Sequence, residues 1–485
     1  MPKAREKAEF GDFQTPEELA LRACELLLTE ERPAVVLEPT CGRGNFLLSA
    51  SKVFGDARQI LGFEINPEYV EEARQRLSAD VRARIEIGNF FELDWKARLA
   101  PLETPILIIG NPPWVTNAEL GSLGSANRPE RTNFLGFSGF DALTGKSNFD
   151  VSEWMLIKLA DALNGKRGQL AMLVKTAVAR KLCHYVWSRA YQVQRTALFS
   201  INAMRWFDAS VDACFLVMDF AAGAASVVAE IYPELSWDAQ CKRIGFRAGE
   251  VVADLDCYER TRHLSGQKPA SPWRSGLKHD CSSVMEFRME SGALVNGLGE
   301  KVDLESDYVF PLMKTSDVAR GGWKEPRFVL VTQRKVGEDT SPIAKLAPKT
   351  WRYLEAHSPL LDKRGSSIYR GKAKFSIFGI GDYSFTPWKI AISGLYKRLS
   401  FCAVGPIDGK PVMVDDASYF LPASTEDEAR ELCALLNSRD AKDFFSAHIF
   451  WDSKRPITAG LLNRLNIGAF QSREVEAMPF GLVST

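Results

Sequence analysis

Residues 105–114 read Pro-Ile-Leu-Ile-Ile-Gly-Asn-Pro-Pro-Trp. The apolar run Pro105 to Ile109, then Gly110, then Asn111-Pro112-Pro113-Trp114 predicts a buried strand that ends in a rigid turn. In open α/β sheets ligands bind at the carboxyl ends of the strands, where this turn would sit. The turn offers an amide oxygen, a proline carbonyl and a flat ring. Two acceptors and a stacking surface suit a planar ring that bears an amino group, such as adenine.

The sequence on either side predicts a sheet to carry that turn. Upstream, Ala34–Leu37, Gln59–Phe63 and Ala83–Ile87 are short apolar strands. Helical patterns separate them, one running to Val53 and one from Pro67 to about Leu77. Thr15–Leu28 reads as an earlier helix, with Thr15 as N-cap, Pro16 at the first helical position and Glu18 completing a capping box. Downstream come a helix near Asp150–Leu163 and strands at Gln169–Val174, Leu198–Ile201 and Ala213–Phe220. Alternation of this kind means a parallel, doubly wound α/β sheet, here of seven strands. Residues 115–149 are rich in Gly, Ser and Asn and lack a period, which predicts a long loop, functional or mobile.

At 485 residues the chain is too long for a single core. The expected division is a first domain at 1–235, a connecting region at 236–305 and a mixed α+β domain at 306–485. The composition, 46% hydrophobic and 25% charged, is that of an ordinary globular protein, and no apolar stretch is long enough to span a bilayer. A charged N-terminus without an apolar core argues against export. The nine cysteines form no C-x-x-C pair and the five histidines are scattered, so the expectations are reduced thiols, a cytoplasmic location and no metal site. Net charge is zero, yet Pro311–Ser400 holds 17 Lys and Arg against 7 Asp and Glu. A basic segment beside an acidic remainder is a footprint for a polyanion, and equally a solvated surface.

Gly42 and Gly44 lie between a strand and a helix, where glycines permit a tight turn and close approach of a ligand. Glu64 ends the next strand, about 20 residues on, where a carboxylate can accept hydrogen bonds from ribose hydroxyls. This pair fits any adenosine cofactor. A nicotinamide dinucleotide is disfavoured because Leu47 stands at the usual offset of a third glycine.

With the Asn-Pro-Pro-aromatic turn included, the first 230 residues resemble the gamma class of N6-adenine-specific DNA methyltransferases of restriction–modification systems. The order agrees with that class, with cofactor motifs before the catalytic motif and a target-recognition domain last. The resemblance implies a class I S-adenosylmethionine-dependent methyltransferase fold with a Rossmann-like seven-stranded sheet, and S-adenosyl-L-methionine as cofactor. Phe13-Gln14-Thr15-Pro16 resembles the element that holds the methionine part, with Thr15 as its polar contact. The stretch Glu38-Pro39-Thr40-Cys41-Gly42-Arg43-Gly44-Asn45-Phe46 resembles the Gly-rich cofactor motif. Glu64-Ile65-Asn66 resembles the ribose-binding element. Asn89-Phe90 stands where the class commonly has Asp-Phe, and Asn89 could still read the cofactor's adenine through its amide oxygen. Asp94 is a weaker substitute.

The amino nitrogen of adenine is a poor nucleophile because its lone pair is delocalised into the ring. The resemblance implies that the Asn111 side-chain oxygen and the Pro112 carbonyl accept its two N–H groups, with Pro113 stiffening the turn and Trp114 stacking on the base. Asn111 also belongs to the cofactor side of the site. The target base must be flipped out of its duplex. Phe207, in Trp206-Phe207-Asp208-Ala209-Ser210, resembles the second aromatic wall, and as a core aromatic it is nearly as well explained.

The third region carries the expected DNA contacts: Arg334 and Lys335, then Arg364, Arg370, Lys372, Lys374 and Lys389, then Lys454 and Arg455. Basic groups bind phosphates and set register. Aromatics lie among them, and the alternation Tyr383-x-Phe385 predicts a strand with one face in the core. Double-stranded DNA is the expected partner. No nuclease constellation is embedded, so any cleavage is expected of a separate cognate restriction endonuclease. A monomer with no membrane association is expected. The competing readings are a protein-glutamine or RNA-base methyltransferase and a catalytically silent DNA-binding subunit.

Overall fold

The computed structural model describes residues 14–28, 32–115, 150–266, 271–453 and 455–470. These divide into two compact units, Met1–Leu255 and Asp256–Thr485.

The first unit is built on a sheet of ten strands. Five of them, β1 (Val35–Glu38), β2 (Gln59–Glu64), β3 (Ala83–Ile87), β4 (Ile106–Gly110) and β5 (Gly168–Lys175), are parallel in the order β3-β2-β1-β4-β5. β1 and β4 are buried along their whole length, as strands covered on both faces must be, and this explains their unbroken apolar runs. β7 (Ala213–Phe220) pairs antiparallel with β5, and β6 (Val193–Ile201) antiparallel with β7. These seven are the strands expected, but β7 runs antiparallel to both its neighbours, where the sequence predicts a parallel sheet. Three more, β8 (Val228–Tyr232), β9 (Lys242–Arg247) and β10 (Glu250–Val252), extend it beyond β6.

The strand order reverses at β1, with β2 on one side and β4 on the other. Loops leaving the carboxyl ends of β1 and β4 therefore diverge to opposite faces and leave a crevice between them. Helix α1 (Glu17–Leu26) packs against α2 (Asn45–Val53), burying Leu19, Ala20, Ala23 and Cys24. The first helix starts later than the capping-box reading places it. Pro16 is the N-cap, no side chain caps the helix, and Thr15 lies outside it, buried. Helix α3 (Pro67–Arg76) is capped by Asn66, whose Oδ1 accepts the Glu68 N–H at 2.9 Å. Helix α4 (Trp95–Leu99) is capped by Asp94, so that carboxylate has a local task. α5 (Val151–Leu163), α6 (Thr176–Ser188) and α7 (Ala203–Phe207) complete the unit.

The domain boundaries differ from those read in sequence. Trp237, placed in the connecting region, packs its ring edge-on against Phe199 and donates its indole N–H to the Leu26 carbonyl at 2.9 Å. Residues 286–302 supply β12 (Glu286–Glu290), β13 (Ala293–Asn296) and β14 (Lys301–Val302) to the second unit. They join β16 (Arg327–Leu330), β15 (Val309–Met313) and β19 (Met413–Val414) in a six-stranded sheet. Strands this short, half exposed, leave little periodicity to read, and their partners lie far along the chain. A four-stranded sheet combines β11 (Arg274–Ser275), β20 (Ser418–Ala423), β17 (Trp388–Ser393) and β18 (Cys402–Val404). The unit is of mixed α+β character, as expected. Asp382–Phe385 forms a 3-10 turn rather than the strand that its alternation suggests, and Tyr383 and Phe385 pack against separate clusters. Among the described residues no helix is long and apolar enough to cross a membrane.

Candidate active site

The turn after β1 bends through Gly42 at φ +49° and Gly44 at φ +81°, both in the left-handed region. Glu64, at the end of β2, secures it: Oε2 accepts the Gly42 N–H and Oε1 the Asn66 N–H, each at 2.9 Å. The Cys41 N–H donates to the Phe63 carbonyl at 2.8 Å. From the other side, Gln14 Oε1 accepts the Arg43 N–H at 3.3 Å and the Thr15 carbonyl accepts from Asn45 Nδ2 at 2.6 Å. The segment before α1 is thus fastened to the Gly-rich turn. A Cβ on Gly42 would lie 2.8 Å from the Gln14 side-chain amide, which could move aside, but the φ of +49° would strain any other residue there.

A pocket opens where these loops meet. Thr15, Glu38, Cys41, Gly42, Phe46, Glu64, Ile65, Asn89, Phe90 and Asn111 all line it, together with Pro113. Residues separated by nearly a hundred positions are brought to one cavity. Pro39, Gly44, Pro112 and Trp114 are not in its lining, and Gly44 instead packs against Ala73 of α3. Further lining comes from Thr40, Asn66, Tyr69, Gly88, Phe91 and Met155. Tyr69 lies under the Arg43 guanidinium at 4.8 Å. Met155, on α5, carries no local sequence signal because only the packing of α5 brings it there. Asn89 is turned differently from expectation. Its Oδ1 accepts the Phe91 N–H at 3.1 Å and its Nδ2 donates to Glu92 at 3.0 Å, a local turn that presents Phe91. The oxygen keeps one lone pair for a ligand.

Two carboxylates share this cavity. Glu38 is buried, and burial followed by the nearby charge of Glu64 pushes its carboxyl well above the usual range. Glu38 Oε2 and Thr40 Oγ1 have no hydrogen-bond partner among the described residues. Burial likewise pushes the Cys41 thiol up, which leaves it without nucleophilic character.

Trp114 and Phe207 meet, but not as two parallel walls. Their ring centroids are 5.1 Å apart with planes at 65°, and both are 6% exposed. The Trp114 indole N–H donates to the Leu173 carbonyl at 3.2 Å. Both rings belong to the cluster that packs α1 and α2 onto the sheet. In this arrangement they are core as much as site.

Of the expected DNA contacts, Arg334, Lys335, Arg370, Lys372, Lys374 and Arg455 are exposed in the second unit. Arg334 lies over the Phe385 ring and Lys374 pairs with Glu355 at 2.8 Å. Two do not fit. Lys389 is 1% exposed and donates to the Thr386 carbonyl at 2.8 Å, because inward-facing positions of β17 are core. Arg364 is half-buried, donates to the Leu361 and Ser376 carbonyls, and stacks on Tyr369. Both hold the unit together. Lys454, Phe13 and residues 116–149 lie outside the described residues.

Residues 3–178 match the N-6 DNA methylase family model. Over 465 residues the chain is 45% identical to the type II methyltransferase M.NspV of Nostoc sp., covering 95% of this chain and 97% of that protein. The chain belongs to the N-6 DNA methylase family. The methylase is also 35% identical over 112 residues to the type II methyltransferase M.CvrRI of Paramecium bursaria Chlorella virus XZ-6E, which is 23% of this chain and 26% of that protein. In fold it is similar to the type IIL restriction–modification enzyme MmeI, solved in complex with DNA. That TM-score is 0.55 at 14% identity, over 96% of this chain and 66% of that one.

S-adenosylmethionine is therefore the methylase's cofactor, and the residues present suit it. The donor is cationic at its sulfonium and ammonium groups, and the pocket offers the Glu64 carboxylate beside the buried Glu38 carboxyl. Its ribose hydroxyls and adenine suit the free acceptor of Glu38, the Thr40 hydroxyl and the rings of Phe90 and Phe91.

Proposed function

We propose that this DNA methyltransferase modifies the N6 amino group of an adenine within a specific duplex sequence. The observation that carries the reading is that Asn111 and Pro113 line the same cavity as Gly42 and Glu64. An amide acceptor at the carboxyl end of β4 thereby borders the cofactor turn after β1.

When bound, S-adenosylmethionine supplies a methyl group already activated on a sulfonium. The chain's task is to hold the nucleophile. Asn111 Oδ1 and the Pro112 carbonyl accept the two amino N–H groups of the base and localise the lone pair on nitrogen. Pro112 and Pro113 fix the backbone so that both acceptors are preorganised, and no covalent intermediate or metal is required. Thr15, Glu38 and Glu64 hold the cofactor, with Glu64 also fixing the turn. Trp114 stacks on the target base after it leaves the duplex, with Phe207 packed edge-on behind the indole; base–aromatic stacking contributes about 1–3 kcal/mol. The basic second unit serves as the target-recognition domain, with Arg334, Lys335, Arg370, Lys372, Lys374 and Arg455 on phosphates. The protein acts as a cytoplasmic monomer on double-stranded DNA, as the modification partner of a separate restriction endonuclease.

The test is to incubate the protein with methyl-labelled S-adenosylmethionine and unmethylated genomic DNA, then digest to nucleosides. Label in N6-methyladenine, lost in Asn111→Ala, is the expected result. Label in 4-methylcytosine, in RNA or in a protein glutamine would replace this reading. Transfer to no acceptor would leave a catalytically silent DNA-binding subunit.

A further inference from the structure

Lys175 ends β5, the strand beside β4, and its ammonium holds two groups. It donates to the Trp114 carbonyl at 3.0 Å and to Asp150 Oδ2 at 2.7 Å. Asp150 is largely buried and is itself oriented, since its Oδ1 accepts the Ser152 N–H at 3.1 Å as it caps α5. Beside it, the Val151 N–H donates to the Val115 carbonyl at 2.9 Å. The Trp114 indole donates to the Leu173 carbonyl, two residues before Lys175. The last residue of the Asn-Pro-Pro-Trp turn is therefore tied to β5 by its carbonyl and by its ring. The same lysine joins Trp114 to Asp150. Lysine suits the place because its ammonium can donate to a carbonyl and a carboxylate at once, and the carboxylate compensates a charge that is largely withdrawn from water.

We propose that Lys175, with Asp150 as its counter-ion, is a positioning residue that sets the Asn111-Pro112-Pro113-Trp114 turn for methyl transfer. This rests on that turn being the reacting centre. A small misplacement of catalytic groups costs about 10²-fold in rate. Lys175→Met should lower the single-turnover rate on DNA by about that factor. Its S-adenosylmethionine Kd and DNA KM should stay within about two-fold of wild type, because neither ligand loses a contact. Lys175→Arg should recover part of the rate. In an Asn111→Ala background, Lys175→Met should add little further loss, since both changes disable one unit. An unchanged rate in Lys175→Met, or full additivity with Asn111→Ala, overturns the proposal. If Lys175→Met does not fold, a wild-type single-turnover rate in Asp150→Asn, which removes the counter-ion that holds the lysine, overturns it equally. Failure of the wild type to methylate DNA would instead count against the catalytic reading.

An independent observation in the second unit concerns a cleft lined by Ser316, Arg320, Ser393, Tyr396, Arg398 and Ser400. It presents two guanidinium groups and four hydroxyls, and its lining holds no carboxylate. Its floor is ordered: Thr315 Oγ1 and Ser393 Oγ are 2.7 Å apart, and Ser393 Oγ accepts the Leu395 and Tyr396 N–H groups at 3.3 Å each. Arg320 is held by an ion pair with buried Asp317, whereas Arg398 is exposed and has no acidic partner among the described residues. Guanidinium forks with hydroxyls match the oxygens of a phosphodiester. We infer that this cleft holds a backbone phosphate of the DNA duplex, which rests on DNA being the substrate. Each phosphate contact adds about one unit to the slope of log K against log salt concentration. With a target duplex, Arg398→Gln should reduce that slope by about one and weaken specific and nonspecific duplexes alike, with cofactor affinity unchanged. A slope equal to wild type overturns the assignment, while absence of duplex binding by the wild type would count against DNA as substrate.

Discussion

The carboxylate of Glu64 accepts the Gly42 N–H at 2.9 Å across 22 positions of sequence. Its other oxygen takes the Asn66 N–H. One side chain therefore fixes two loops on adjacent strands, and in doing so sets the shape of the cofactor turn. Glu64→Gln keeps a single acceptor and turns an amide NH2 toward one of the two donors. Hydrogen bonds to charged groups contribute about 1.5–3 kcal/mol, so cofactor affinity should fall about 10- to 100-fold. Calorimetric titration with S-adenosylmethionine reads this directly, and a wild-type Kd would show that the turn holds without the carboxylate.

In the proposed mechanism Asn111→Ala removes one of the two acceptors for the target amino group. Loss of a single such group costs about 10²–10³-fold in kcat. Cofactor Kd should move far less. A parallel loss of cofactor binding would mean that Asn111 serves the donor rather than the target base.

Phe207 is packed edge-to-face on Trp114 within the core that joins α1 and α2 to the sheet. Phe207→Ala should therefore destabilise the first unit by about 3–5 kcal/mol, as core Phe truncations do. Phe207→Leu should recover most of that stability without recovering the edge-on ring contact behind Trp114. Thermal unfolding together with DNA affinity separates the two roles, and an unchanged midpoint in Phe207→Ala would remove the ring from the core.

Lys389 gives the second unit a pH signature. Burial alone pushes its amine down to about 7, whereas an unfolded lysine titrates at about 10.4. Between these values the unfolded chain binds a proton that the folded one does not, so stability rises with pH through this window. Below about pH 7 the full penalty of the buried charge is present. Lys389→Met should flatten the rise and stabilise more at pH 7 than at pH 10. Unfolding midpoints across that range check it. A parallel offset at every pH would mean that the buried amine is charged throughout.

How much of this was legible in the chain depends on the range of the interactions involved. Short-range patterns carried the first unit. The apolar runs at Val35–Glu38 and Ile106–Gly110 are those of strands buried on both faces. Gly42 and Gly44 require positive φ, and the two prolines of 111–114 stiffen their own turn. From these, with the alternation of strands and helices, follow the α/β sheet and the crevice at its carboxyl edge; the grouping of Glu38 with Glu64 and Asn111 is what the family resemblance implies. Tertiary structure decided what depends on contacts between distant residues. It placed Met155 in the pocket and Lys175 on the Trp114 carbonyl, and it turned the Asn89 oxygen to Phe91. It also sent Lys389 inward, since a lysine in a basic stretch reads as exposed until β17 is seen to be covered. Periodicity reports a residue's neighbours within one element; which face of that element meets another is settled only when the elements pack.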